Sequence, residues 1–338
     1  MRALVSRDVA TSVDELLHGV TAREPLLQSD GKSGAHLERV VLDGRPYVVK
    51  HLDLGEDWTM RALGDLGCKT LQLWRSGLLD LLPACINQPI VAVAHDARRG
   101  PGGRATTLLM RDVGAWMVPE GDAPIPLEQH VRFLEHMATV HATFWDFDDT
   151  FGLTPRPNRY TELVPTTAAV EQACGSTAAV PPLLATGWAR YPDRAPRGAD
   201  VLLPLHDAPT PLIAGLAVTP STFLHGNWKH GNLGTDDDGR TVLIDWESPG
   251  AGGATEDLAW YLAINCRRLP QAKEEAIAAY REALEGQGVD TDGWWDRQLG
   301  LALLGGALQF GWEKALGDDT DELEWWEERA VEGARLLP

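Results

Sequence analysis

The chain has 338 residues, of which 44% are hydrophobic, and a formal net charge of −19. A chain of this length buries a large core and has room for two lobes or domains. The strong negative charge argues against binding to nucleic acids or to anionic membranes, because both attract positively charged proteins. A small, neutral or cationic partner is favoured instead.

The N-terminal segment predicts a helix near residues 9–20. It carries Asp8, Asp14 and Glu15 and has no uninterrupted apolar run. A secretory signal peptide needs such a run, so we expect a cytoplasmic protein. The four cysteines have no spacing typical of zinc sites or disulfide frameworks, and buried thiols are expected.

Residues 36–50 predict a β-hairpin. Asp43-Gly44 is a pair that favours two-residue turns, and apolar residues alternate on both sides of it. Such a pair between alternating segments is a strong hairpin signal. The second strand of the predicted hairpin ends at Lys50.

A glycine-containing stretch, Asp-Gly-Lys-Ser-Gly at 30–34, precedes the hairpin. Ser33 and Gly34 are small enough to let backbone N–H groups approach an anion. The stretch is not a Walker-type P-loop, because that motif needs another glycine five positions before Gly31 and Leu26 stands there. A flexible polar turn is the alternative interpretation.

The middle of the chain predicts helices near 57–79, strands near 89–95 and 105–111, and a helix at 127–147. Segment 152–220, rich in Pro, Ala and Thr, indicates shorter helices and loops. From residue 257 onward the pattern is strongly helical. Its most apolar run, Leu299 to Trp312, is too short and too rich in glycine to span a bilayer.

The most informative stretch is 221–247, where His225-Gly226-Asn227 is followed after four residues by Asn232 and later by Asp245. Asp-Asp-Asp-Gly at 236–239 predicts a turn between two short strands, which would bring Asp245 beside Asn232. Mg²⁺ prefers few hard oxygen ligands and completes its shell from water and nucleotide phosphates. We therefore expect Asn232 and Asp245 to bind Mg²⁺.

HGNWKHGN and IDWE in this stretch resemble the catalytic loop and metal motif of the aminoglycoside phosphotransferase and choline kinase-like family. The family pattern is His-Gly-Asp, four residues, Asn, then Asp in an Ile-Asp-aromatic-acidic setting. The chain departs from it at Asn227, where the family has its catalytic aspartate. The resemblance implies an α+β, bilobal protein-kinase-like fold, with a small antiparallel-sheet lobe over 1–113 and a larger, mainly helical lobe over 114–338.

The resemblance also implies roles around the catalytic loop. Asn227 would position the acceptor hydroxyl, because an amide cannot take up its proton. Lys229 would contact the γ-phosphate of the nucleotide. Asp257 would accept hydrogen bonds from the catalytic-loop backbone, although a plain helix N-terminal acid is the alternative. His225 would pack against the metal-binding segment.

By the same resemblance, Lys50 would hold the α- and β-phosphates of ATP or GTP, beneath a loop that contains Ser33 and Gly34. Met110 lies at the end of a buried strand that runs into a polar, glycine-containing segment. This position resembles the hinge between the lobes, where the nucleotide base binds to the backbone. An ordinary strand and turn is the alternative interpretation.

An acid on the helix after Lys50 would hold that lysine. Glu56, Asp57 and Asp65 are the candidates, and the apolar pattern Met60-Leu63-Leu66 favours Asp65 as the inward-facing one. The sequence alone does not identify which of the three acids pairs with Lys50. A surface or helix N-terminal charge is the alternative for each.

The chain has thirteen tryptophans, and Trp228 and Trp246 flank the motif residues closely enough to contact a ligand. Packing in the core is the alternative. The C-terminal acids either face a polyamine acceptor or form a solvated helix face, and the second is more common; they are Glu313, Asp318, Asp319, Asp321, Glu322, Glu324, Glu327, Glu328 and Glu332.

These features predict a small-molecule kinase that uses Mg²⁺ and transfers the γ-phosphoryl group of ATP or GTP to a hydroxyl group. The acceptor would be an antibiotic, an amino sugar, a sugar or a nucleoside-type molecule, and antibiotic resistance is one expected role. Asn227 keeps two alternatives open. One is a catalytically impaired pseudokinase that acts as a nucleotide-dependent sensor, and the other is an enzyme of the same fold that transfers AMP.

Overall fold

The computed structural model describes residues 6–26, 35–99 and 105–338. The N-terminal part forms a five-stranded antiparallel sheet with the strand order β1-β2-β3-β6-β5, and the C-terminal part is mainly helical. The strands are β1 (Val20–Pro25), β2 (His36–Leu42), β3 (Arg45–Leu52), β4 (Ile86–Asn87), β5 (Ile90–His95), β6 (Thr106–Arg111), β7 (Thr222–Leu224), β8 (Leu233–Thr235), β9 (Thr241–Leu243) and β10 (Gly250–Gly252).

The helices alternate with loops through the rest of the chain, and an α+β architecture results, as predicted. They are α1 (Val13–Leu16), α2 (Trp58–Ala62), α3 (Lys69–Ser76), α4 (Leu127–Thr143), α5 (Arg156–Thr161), α6 (Pro165–Ala173), α7 (Val180–Arg194), α8 (Pro196–Asp207), α9 (Thr210–Ala217), α10 (Ala254–Ile264), α11 (Lys273–Gly286), α12 (Trp295–Leu316) and α13 (Thr320–Ala334).

The predicted hairpin is confirmed. Asp43 and Gly44 both have positive φ angles, of 49° and 72°, and Leu42 pairs directly with Arg45. Positive φ at both central residues is the geometry of the two-residue turn that matches the twist of a sheet. In this register Lys50 lies on β3, a strand paired on both edges by β2 and β6.

The first helix is much shorter than the predicted 9–20. Ser12 caps α1 by accepting the N–H of Glu15, and Gly19, with a φ of 84°, turns the chain into β1. α1 ends at Leu16, and a glycine at position 19 takes the left-handed conformation of the following turn without strain. The prediction missed β1, whose mostly exposed residues give no clear apolar alternation.

The large core surrounds α12, which is buried on nearly every side. Gly305 on α12 lets α5 approach closely, because a Cβ at this position would lie 2.5 Å from Cε1 of Tyr160. Tyr160 is buried and donates its hydroxyl to Oε2 of Glu256 at 2.9 Å. α5 is therefore fixed between α12 and the start of α10.

Two small sheets complete the C-terminal part. β7 pairs with β10, and β8 and β9 form an antiparallel pair that β4 joins in parallel. β4 precedes the predicted lobe boundary at 113/114, yet its partner β9 lies far beyond it. The boundary itself stays a prediction.

Candidate active site

The loop after β7 is held by the carboxylate of Asp257, in the first turn of α10. Asp257 accepts the backbone N–H groups of His225 at 2.9 Å and Gly226 at 3.0 Å. Burial raises the pKa of Asp257, but the hydrogen bond with His141 and the charge of Arg159, among other contacts, together outweigh burial and hold that pKa below its ordinary value. Asp257 is thus an ionised support for the loop backbone.

Gly226 is needed for the shape of this loop. Its φ is 78°, and a Cβ there would collide with the carbonyl oxygen of Ser248 and with the guanidinium of Arg159 on α5. Only glycine adopts this conformation and allows this approach without strain. The loop therefore lies directly against α5 and against the segment that follows the metal motif.

His225 links the loop to the end of the next strand segment. Its Nε2 donates to the carbonyl oxygen of Ile244 at 3.0 Å, and its Nδ1 accepts the N–H of Asn227 at 3.2 Å. Burial lowers the pKa of His225 to about 4, so the ring is neutral at pH 7. The ring also packs against Trp246, with 4.5 Å between centroids, which fits the structural role expected of it.

Asn227, Asn232 and Asp245 form one connected group. Pairing of β8 with β9 brings the backbone oxygen of Asn232 within 3.1 Å of the N–H of Ile244. The side-chain nitrogen of Asn232 donates to the backbone oxygen of Asn227 at 3.0 Å. The side-chain nitrogen of Asn227 donates to Oδ2 of Asp245 at 3.2 Å.

Lys50 joins this group from the N-terminal sheet. Its Nζ lies 2.7 Å from Oδ1 of Asp245 and also contacts Oε1 of Glu247. Burial alone would raise the pKa of Asp245, but Lys50 and Lys229 hold it well below its ordinary value. Burial and the charge of Asp245 raise the pKa of Glu247 to about 8. One ammonium group therefore lies between one ionised carboxylate and one that holds its proton near neutral pH.

The oxygens of this group fit a magnesium ion. Asp245 supplies an ionised carboxylate, and Asn232 retains Oδ1 because its nitrogen is bonded to the loop backbone. Glu247, which the sequence analysis missed, adds a second carboxyl two residues after Asp245. The sequence shows the second acid of Ile-Asp-Trp-Glu but not its direction, because the chain turns at Asp245, whose φ is 69°, and strand alternation does not apply there. Hard oxygen donors in this number suit Mg²⁺.

Asp65 does not meet Lys50 in the structure. Gly64, with a φ of 62°, ends α2, so the apolar pattern used to orient Asp65 does not continue as one helix. Leu66, which was to mark the inward face, is 72% exposed. Asp65 instead accepts the N–H of Lys69 at 2.9 Å and lies 3.6 Å from its Nζ.

Asp57 is a candidate acid on which the charge of Lys50 acts. It caps α2 by accepting the N–H groups of Thr59 at 2.8 Å and Met60 at 3.1 Å through Oδ1. Its Oδ2 is buried and has no hydrogen-bond partner among the described residues. Burial raises the pKa of Asp57, while the charge of Lys50 opposes that rise.

The remaining nucleotide-site predictions lie along β6 and before β2. Met110, partly buried on β6, pairs with Val48 and Ile90, next to the strand that carries Lys50. Ser33 and Gly34 lie outside the described residues, so their predicted role stays a prediction.

The two tryptophans of the motif pack in the core. Trp228 and Trp246 are 0% and 1% exposed, so packing accounts for both better than ligand contact. The backbone oxygen of Trp246 accepts the hydroxyl of Thr70 on α3 at 2.6 Å. This bond ties the segment after Asp245 to the N-terminal part of the chain.

The C-terminal acids include several that are used internally. Glu322 forms an ion pair with Lys273, and Glu327 accepts Arg197 at 2.9 Å and the N–H of Gly198 at 3.0 Å. These two acids hold α13 against α11 and α8. No helix in the described part of the chain is long and apolar enough to cross a membrane.

Residues 39–294 match the family model described as the phosphotransferase enzyme family. This match confirms the resemblance seen in the catalytic loop and metal motif. The comparison with curated proteins gives no match.

Solved structures of similar fold include the choline kinase LicA from Streptococcus pneumoniae, with a TM-score of 0.51 and 14% identity over 95% of this chain and 96% of that one. Spectinomycin phosphotransferase APH(9)-Ia in complex with ADP and spectinomycin gives a TM-score of 0.48 and 14% identity over 93% and 97% of the two chains. At this identity the likeness to the choline kinase structure shows the fold alone, and it confirms the predicted bilobal, protein-kinase-like architecture.

Proposed function

The chain belongs to the phosphotransferase enzyme family, and from this premise we propose that it transfers the γ-phosphoryl group of ATP or GTP to a hydroxyl group of a small molecule. The contact between Lys50 and Asp245 carries the proposal. It connects the sheet that would hold the nucleotide phosphates with the loop that would hold the metal ion and the acceptor. Both residues keep their charges at neutral pH, as electrostatic stabilisation of phosphoryl transfer requires.

In this proposal Lys50 binds the α- and β-phosphates, with Met110 at the nucleotide base and Ser33 and Gly34 in the loop above the phosphates. Lys229 stabilises the charge that grows on the γ-phosphoryl group. Phosphoryl transfer passes through a loose transition state, so positioned charges supply most of the catalysis.

Asn232, Asp245 and Glu247 would hold Mg²⁺ through their oxygens. The ion would neutralise charge on the phosphates when bound. The Lys50 ammonium contacts Asp245 and Glu247, and in this proposal it would contact the α- and β-phosphates when nucleotide is bound.

The acceptor is expected to be neutral or cationic, because the protein has a net charge of −19 and its site contains several buried acids. Antibiotics, amino sugars, sugars and nucleoside-type molecules with free hydroxyl groups meet this description. Modification of an antibiotic would give the protein a role in resistance.

The test is a screen of hydroxylated antibiotics and amino sugars with Mg·ATP and Mg·GTP. We expect ADP or GDP to form together with an acceptor heavier by one phosphoryl group. Asp245→Asn should abolish transfer, while Asp238→Asn, an exposed acid on the nearby β8–β9 turn, should leave it unchanged. Equal transfer by wild type and Asp245→Asn would refute the proposal.

A second function, a nucleotide-dependent sensor without turnover, is favoured by one observation, the amide at position 227. Tight binding of Mg·ATP with no product from any acceptor would support the sensor. AMP on the acceptor, in place of a phosphoryl group, would indicate adenylyl transfer.

A further inference from the structure

The loop residue expected to meet the acceptor cannot serve as a base. Asn227 uses its side-chain nitrogen on Asp245, and its Oδ1 is buried without a hydrogen-bond partner among the described residues. An oxygen in this state is free to accept the hydrogen bond of an acceptor hydroxyl and to orient it. An amide oxygen does not, however, take up a proton near neutral pH, so the proton of the hydroxyl must go elsewhere.

Helix α5 lies directly against this loop. Arg159 donates to the carbonyl oxygen of Ser248 at 3.0 Å, and its guanidinium fills the space where a side chain at Gly226 would stand. One residue earlier, Asn158 donates to the carbonyl oxygen of Leu63 at 2.9 Å. α5 therefore contacts Leu63, just after α2, at one point and Gly226, the residue before Asn227, at another.

Glu162 lies one helical turn beyond Arg159, on the same face of α5. Its backbone is still helical, with φ −61° and ψ −47°, and residues three apart on a helix are neighbours. The side chain is 6% exposed, yet it makes no hydrogen bond and no ion pair with the residues that the structure describes. Its carboxyl oxygens keep slight access to solvent, so a hydroxyl group of the acceptor could reach them.

The charges that act on Glu162 come from three elements. They are Arg159 on α5, Lys229 two residues after Asn227, and Asp57 at the start of α2. Lys229 also acts on Asp245. Glu162 and Asp245 therefore both lie within the electrostatic reach of one lysine of the catalytic loop.

We propose that Glu162 replaces the missing loop aspartate as the proton acceptor of the reaction, an inference that rests on the proposed kinase function. As the hydroxyl oxygen of the acceptor bonds to the γ-phosphorus, the bond between that phosphorus and the β,γ-bridging oxygen breaks. The electron pair of the broken bond leaves with ADP. The hydroxyl proton moves to a carboxylate oxygen of Glu162, which later releases it to water.

The acidity of Glu162 suits this task. Burial raises its pKa to about 7, although Arg159 and Lys229 act in the opposite direction. A base whose pKa lies near the working pH combines a substantial unprotonated fraction with good proton affinity. The turnover rate is therefore expected to rise with pH through the neutral range, as Glu162 loses its proton.

The experiment compares wild type, Glu162→Gln, Asn227→Asp and the double variant. Each is assayed with Mg·ATP and either water or an acceptor that becomes phosphorylated in the screen. We expect Glu162→Gln to lower kcat by ~10²–10⁴-fold, to leave nucleotide affinity unchanged and to remove the rise of kcat near pH 7. Asn227→Asp should restore turnover in the Glu162→Gln background, because it returns a carboxylate to the loop. Glu327→Gln, a change at another buried glutamate, should leave kcat unchanged.

Each other outcome refutes a different claim. Wild-type kcat in Glu162→Gln, or no rescue by Asn227→Asp, would overturn the role of Glu162 and leave the kinase function standing. Turnover by Asn227→Asp alone, with none by wild type, would show that the natural site lacks a base and would also overturn it. No turnover by any of the four proteins, despite nucleotide binding, would instead refute the kinase function itself and the role of Glu162 with it.

Discussion

Replacement of Asp257 by alanine should loosen the catalytic loop while the rest of the fold remains. The carboxylate accepts the N–H groups of His225 and Gly226, and both donors are buried. A hydrogen bond to a charged acceptor contributes about 1.5–3 kcal/mol, and a buried donor that loses its partner bears a desolvation penalty of similar size. Two such donors should lower the free energy of local opening of the loop by ~3–6 kcal/mol. Hydrogen exchange at these two amides should therefore become at least ~100-fold faster.

Hydrogen exchange measured at the amides of His225 and Gly226 tests this value directly. Asp257→Asn keeps one acceptor oxygen, so about half of the effect is expected. Asp238→Asn removes the charge of an exposed acid and serves as the control. A change below ~1 kcal/mol in Asp257→Ala would refute the reasoning, because the loop would then be held by other contacts.

Three further predictions concern contacts between the lobes and the acidity of α5. Arg61 donates to both carboxylate oxygens of Glu171, at 2.9 and 2.6 Å, so a double-mutant cycle with alanine should give a coupling of ~1–3 kcal/mol in urea unfolding; a value below ~0.5 kcal/mol would contradict this. Thr70→Val removes the hydroxyl that bonds the oxygen of Trp246 and should destabilise the protein by ~1–2 kcal/mol in the same assay, whereas no change would show that the bond is dispensable. Folded Glu162 has a pKa of about 7, above its ordinary 4.5, so the folded state keeps a proton that the unfolded state loses. The free energy of unfolding of wild type, relative to that of Glu162→Gln, should therefore decrease as the pH rises from 4.5 to 7, by at most ~1.4 kcal/mol per pH unit. A difference between the two proteins that does not change with pH would contradict this.

The parts of the site that lie close together in sequence were predictable. The Asp43-Gly44 pair favours the two-residue turn in which it lies, and a short pair of strands brings the backbone around Asn232 close to that around Asp245. Each geometry depends on a single β-hairpin, β2–β3 in the first case and β8–β9 in the second. Such features follow from turn chemistry and strand alternation without knowledge of the tertiary fold.

Contacts between distant segments were not predictable in the same way. Gly64 breaks the helical pattern that pointed Asp65 toward Lys50, and the pattern of apolar residues alone does not reveal a left-handed glycine. Glu162 lies far from the catalytic loop in sequence, and its helix meets that loop through Arg159 while Tyr160 packs against Gly305. Such an approach depends on the packing of three helices, which no local pattern specifies.

The parallel pairing of β4 with β9 affects the order in which native contacts form during translation. Ile86 and Asn87 leave the ribosome well before Thr241 and Val242, their partners in the sheet, so the pairing of β4 with β9 forms only after residue 242 has been made. The hydrogen bond from the side-chain nitrogen of Asn87 to the carboxylate of Asp236 likewise forms only after Asp236 has been made. The N-terminal part of the chain therefore completes these contacts only after most of the C-terminal part has been made, and a fragment that ends near residue 113 would lack the strand that pairs with β4.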